Sequence, residues 1–215
     1  LHSNQLLALA DFLIQNWGNH MAGLLNSGTK NTMAPQSGAS QDLDDPILQR
    51  IERDIESKVP PELKKAYLAV VVSGMKLMFS KETSEFMEQR LSESGDPVES
   101  VSKGIADLIM MIYSEATPRK NKNNKYNYTE AMAYFNRTFI PAAMLACVSL
   151  MCQALDYAEK AGKIEITQEF VAQCAEATTT ETMSRFGITP DKVQAAIAAQ
   201  QGGAQPQGAQ PEAGA

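Results

Sequence analysis

The chain has 215 residues, an apolar content of 44% and a formal net charge of −6, with a pI near 5.0. This length is enough for one core that needs no disulfides. The acidic balance excludes a whole-surface electrostatic grip on nucleic acid, which needs clustered Lys and Arg.

Taken in order, the chain reads as a series of amphipathic helices, because apolar residues recur at three- and four-residue spacing rather than alternating. Ser3 is placed to cap a first helix carrying Leu6, Leu9, Leu13, Trp17 and Leu24, so residues 1–25 form an N-terminal helix. The Ser-, Gly- and Thr-rich run over residues 26–42 is a linker. A helical bundle domain is then expected over 43–201. Asp44 or Asp45 with Pro46 opens a helix whose apolar stripe is narrow: Leu48, Ile51, Ile55 and Val59 lie in line among Arg, Glu, Asp and Lys. That pattern predicts a seam docking on one partner helix, and those four residues are the candidate protein interface. Glu52 and Glu56 on the same helix are expected to face solvent.

Pro60-Pro61 breaks the helix, and Leu63, Tyr67, Val70, Val71, Met75 and Met78 then mark the broad face of a buried one. A charged helix around Phe86, Met87 and Leu91 follows, stopped by Gly95. Asp96-Pro97-Val98-Glu99 combines an N-cap, a first-position Pro and a capping-box-like Glu before Val101, Ile105, Leu108, Ile109 and Ile112. Arg119, Lys120, Lys122 and Lys125, followed by Tyr126 and Tyr128, form an exposed basic loop. It is the one patch that combines cations with aromatics as single-strand binders do, and so the candidate nucleic-acid contact, although four charges suit a merely solvated loop as well.

From Asn127 or Thr129 a long helix runs to about Ala161, with a kink expected at Pro141 and a stop at Gly162. Its stretch from Thr138 to Leu155 carries no charge and nearly reaches bilayer-spanning length. Phe139, Ile140, Leu145, Val148, Leu150 and Leu155 are therefore a candidate membrane segment, but Pro141, Ser149 and Gln153 lower its hydropathy and favour a buried core helix. Lys163 to Ile166 is an extended connector; four alternating residues make no sheet. Thr167 caps a helix ending near Gly187, and Thr189-Pro190-Asp191 opens a short last one. Residues 202–215 hold Gly, Ala, Gln and Pro with a single charge and form a disordered tail.

No catalytic or metal-binding set emerges, and no cofactor is expected. His2 and His20 stand far apart, and Cys147 and Cys152 are five apart on a helix, not on one face. Cys147, Cys152 and Cys174 read as buried hydrophobes of a protein made in a reducing compartment. The predicted fold is all-α: an irregular multi-helix bundle with a kinked central helix and a disordered C-terminal tail.

The run Asp96-Pro97-Val98-Glu99-Ser100-Val101-Ser102-Lys103-Gly104-Ile105-Ala106, the Ile140-Pro141-Ala142-Ala143 helix and the Ala/Gln/Gly tail resemble, in segment order from Pro60 to Gln201, small helical virion proteins of tailed bacteriophages. These are internal, ejection-type or connector components. The resemblance implies a multicopy, non-enzymatic assembly protein, made in the bacterial host cytoplasm and residing in the virion. Its partners would be copies of itself and other virion proteins, with membrane contact on release. The rival expectation is a cytoplasmic helical adaptor that binds a partner protein through the Leu48–Val59 stripe.

Overall fold

The computed structural model describes residues 43–80, 95–118, 128–189 and 191–192. The expected N-terminal helix and linker, the helix around Phe86, the basic loop from Arg119 to Tyr126 and the tail lie outside them. The described residues hold five helices and no strand: α1 Pro46–Lys58, α2 Lys64–Met78, α3 Pro97–Ala116, α4 Tyr128–Lys160 and α5 Gln168–Arg185. The fold is all-α, as the spacing predicts.

Short-range chemistry sets the helix ends. The Asp45 carboxylate accepts from the amides of Ile47 and Leu48 at 2.7 and 3.1 Å, with Pro46 in the first turn. Asp96 accepts from the amide of Val98 at 2.9 Å, while Glu99 turns forward to pair with Lys103. Thr167 accepts from the amide of Phe170. Two helices stop by a shared device: Val59 and Thr117 each precede a proline and take extended backbone with ψ of 116° and 129°. Two others end on glycine. At Gly162 and Gly187, φ is 67° and 68°, and Lys163 and Ile188 donate back to the carbonyls of Ala158 and Met183, closing the left-handed cap that glycine adopts without strain.

α4 is central and touches all four other helices, while α2 also packs on α3 and α3 packs extensively on α5. The helix runs through Pro141 as one element of 33 residues. From Ala142 to Asp156 every residue is buried, which explains why this stretch is so largely apolar. Gly74 lets α2 come close to α4: a Cβ there would lie 2.6 Å from the methyls of the fully buried Leu150. The connector from Lys163 to Ile166 is neither helix nor strand, and its two isoleucines pack against the core.

Candidate interaction surfaces

Within its apolar length α4 carries a line of polar residues, Ser149, Gln153, Asp156 and Lys160, at spacings of four, three and four that hold one helical face. Each reaches α1, α2 or the residue leading into α1. The Tyr67 hydroxyl and the Ser149 hydroxyl share a hydrogen bond of 2.8 Å. The Gln153 amide donates to Glu52 at 3.1 Å. Asp156 accepts from the backbone amide of Asp44 at 3.0 Å. Lys160 bridges Asp44 and Asp156 at 2.9 and 2.8 Å, and those two carboxylates hold its ammonium above the usual lysine range, at about 12. Burial pushes the Tyr67 phenol up as well, against the Ser149 hydrogen bond.

Facing α5 and α3, the polar side chains behave differently. Thr179, Thr182, Ser102 and Cys147 donate to carbonyls of their own helices, three or four residues back. The Thr178 hydroxyl is fully buried and has no partner among the described residues. All three cysteines are buried and free. Burial pushes the Cys147 thiol up to about 12, and that of Cys152 well above its ordinary value, with the Glu52 carboxylate adding to the shift. Thiols held neutral in this way are poor nucleophiles.

The end of the bundle where α3 finishes and α4 begins is aromatic. The Tyr113 ring lies 5.4 to 5.6 Å from Phe135, Phe139 and Phe186, and its hydroxyl donates to Asn136. On the same ends of α3 and α4, Met111, Tyr128 and Tyr134 are exposed, Tyr134 to 71%. Val72 and Phe79 are further exposed apolar side chains, with Phe79 set edge-on against Tyr157.

Two sequence expectations change against this geometry, and of the two readings weighed for α4 the buried core helix is the one observed. The Leu48, Ile51, Ile55 and Val59 stripe does dock on one helix, but that helix is α4 of the same chain: the first three are buried and Val59 packs against the core. As the outward-facing interface expected from sequence, the stripe is corrected, since a narrow apolar seam reads alike whether its partner is intramolecular or not. Glu52 is buried rather than solvent-facing, because it sits beside Ile51 and one turn from Ile55 where α1 meets Gln153. Glu56 is half-buried, and burial raises its pKa against the opposing charge of Lys64. α4 is long and apolar enough to cross a membrane, yet 89% of its most apolar window is buried in the bundle. Phe139, Ile140, Leu145, Val148, Leu150 and Leu155 are accordingly core residues, and the fold presents none of them to a bilayer.

Arg119, Lys120, Lys122, Lys125 and Tyr126 lie outside the described residues; Tyr128 beside them is exposed. Among the described residues no three His, Cys, Asp or Glu side chains converge as a metal site would require. Sequence reading missed the Ser149–Gln153–Asp156–Lys160 line, although its spacing was legible, and missed the exposure of Tyr134, for which periodicity offers no signal. The chain matches no family model, no curated protein and no solved structure.

Proposed function

We propose that this chain is a non-enzymatic assembly protein, a multicopy component of a bacteriophage virion of the internal, ejection or connector kind, working through helix–helix contacts with its own copies and other virion proteins. The observation that carries the assembly reading is the exposed trio Met111, Tyr128 and Tyr134 beside the aromatic end of the bundle. Aromatic and Met side chains left on water suit protein contacts, because they bury large area at low entropic cost. The virion setting rests on the resemblance in segment order alone. The basic segment next to Tyr128 adds a weak nucleic-acid contact to the proposal.

A photo-crosslinking residue in place of Tyr134, in the chain as made in its host, tests this reading. Crosslinks within purified particles, to further copies or to other particle proteins, are expected. Crosslinks to one soluble host protein, with no chain in particles, would replace it by the adaptor reading, through the aromatic end rather than the buried stripe.

A further inference from the structure

α1 differs from the other helices in how it is held. Among the described helices it packs to any extent only on α4. It contributes three buried aliphatic side chains, Leu48, Ile51 and Ile55, with Leu43 just ahead of it. Ile47 and Val59 pack against the core near its two ends, and its polar ties lie at its start and middle: Asp44 on Asp156 and Lys160, and Glu52 on Gln153. The Asp44 and Lys160 side chains are 76% and 47% exposed, so this latch is wet and open to exchange with water. α1 is joined to α2 by Val59-Pro60-Pro61, where Pro60 and Pro61 lack amide donors and only a turn from Pro60 to Lys64 follows.

The seat left on α4 is addressed rather than merely greasy. It presents an amide at Gln153, a carboxylate at Asp156 and an ammonium at Lys160 at fixed helical spacing, flanking the surface that takes Ile51 and Ile55. The ligand with that complement is α1 itself. We propose that α1 is a detachable strap that lifts about the Val59–Pro61 joint, and that its seat on α4 is then filled by α1 of a second copy, making strap exchange the contact between copies. The inference takes its purpose from the assembly reading but its geometry from the α1–α4 contact alone. In the exchanged form Leu48, Ile51 and Ile55 become what the sequence suggested, an interface, and are buried again.

Charge reversal tests the exchange on the full chain, at two positions where the side chains are too exposed to decide folding. One copy carries Lys160→Glu and the other Asp44→Lys, so each strap opposes its own seat. In a mixed pair the reversed strap of the second copy meets the reversed seat of the first, while the unsubstituted Asp44 of the first meets the unsubstituted Lys160 of the second. Each copy alone should run at the 23.4 kDa monomer mass, and the mixture should shift to a mixed dimer of twice that mass. Adding Ile55→Asp to the Asp44→Lys copy should abolish that dimer, since a seated strap must bury this position. A mixture that stays monomeric overturns the proposal, and so does a mixed dimer indifferent to Ile55→Asp, which would be joined by surface charge alone.

Native thiol modification of the wild-type chain reads the lifting step separately. Cys152, which has Glu52 of α1 on one side and Cys174 of α5 on the other, should be modified about tenfold or more faster than Cys147, whose neighbours are Thr179 and Thr182 of α5 alone. Equal rates for the two would mean that α1 opens only when the whole bundle does, and would overturn the strap. A chain found in multiple copies in particles without forming the mixed dimer would sink strap exchange and leave the assembly reading standing. A mixed dimer from a chain absent from particles would do the reverse.

Discussion

The two sides of α4 differ in how far their fully buried polar groups depend on another helix. Towards α1 and α2, Ser149, Gln153 and Asp156 hydrogen-bond to groups 82 to 112 residues away in the chain. Towards α5 and α3, Thr179, Thr182, Ser102 and Cys147 each donate within their own helix, and the ties between helices are Tyr113 to Asn136, Arg185 to Asp107, and the Thr179 and Thr182 hydroxyls beside the Cys147 thiol. A cross-helix pair fixes register, because sliding one helix leaves both members desolvated and unpaired. A hydroxyl bonded to its own helix leaves the neighbour free to be chosen by shape. Hence the α1 and α2 interface is keyed by buried hydrogen-bonded pairs, while the α3 and α5 interface rests more on packing.

The contrast is sharpest at Gln153. Gln153→Ala removes the donor from a buried carboxylate and opens a cavity, and should cost about 2–4 kcal/mol. Denaturant unfolding of Glu52→Leu, Gln153→Leu and their combination should show the double variant well short of the sum of the singles, since neither polar group is then stranded. Additive costs would mean that the pair does not act as one unit. Gly74→Val should cost about 1–3 kcal/mol by forcing α2 off Leu150, with a Tm drop as the measurement; an unchanged Tm would show that Leu150 can repack.

Smaller effects separate the two faces directly. Ser149→Ala should cost about 1–2 kcal/mol by stranding the Tyr67 hydroxyl. Thr179→Val, on the self-satisfied side, should stay within about 0.5 kcal/mol, and Thr178→Val should stabilise by about 0.5–1 kcal/mol because it removes a buried hydroxyl with no partner among the described residues. Equal losses at 149 and 179 would erase the distinction.

Alkali probes the packed side through Cys147. Its folded pKa is raised from 9.0 to about 12, so the unfolded chain ionises first. Stability is full below pH 9 and falls as pH rises towards 12, by up to about 1.4 kcal/mol per pH unit from this thiol. Cys147→Ala should flatten that slope in urea titrations between about pH 8 and pH 10.5, whatever it costs in packing.

Much of the fold was written in local chemistry. Asp45-Pro46, Asp96-Pro97, Thr167, Gly162 and Gly187 act over two to five residues, so the helix ends they set were readable without any partner. The centrality of α4 was also legible, because a helix so largely apolar needs neighbours on all sides. The candidate surfaces were less so. Seam and interface share one pattern in the Leu48–Val59 stripe, and Glu52 looks like any surface glutamate until Gln153 stands opposite it.

Sequence by itself determined the class of the protein, the ends of its helices and the apolar continuity of α4, since capping, proline geometry and hydrophobic period are properties of neighbours along the chain. Tertiary structure alone decided that the narrow stripe closes on α4 of the same molecule, that Gly74 is where α2 comes close, and that Tyr134 remains on water. Each of these depends on which distant residue stands opposite, and helical periodicity gives the direction of a face but never the identity of what covers it.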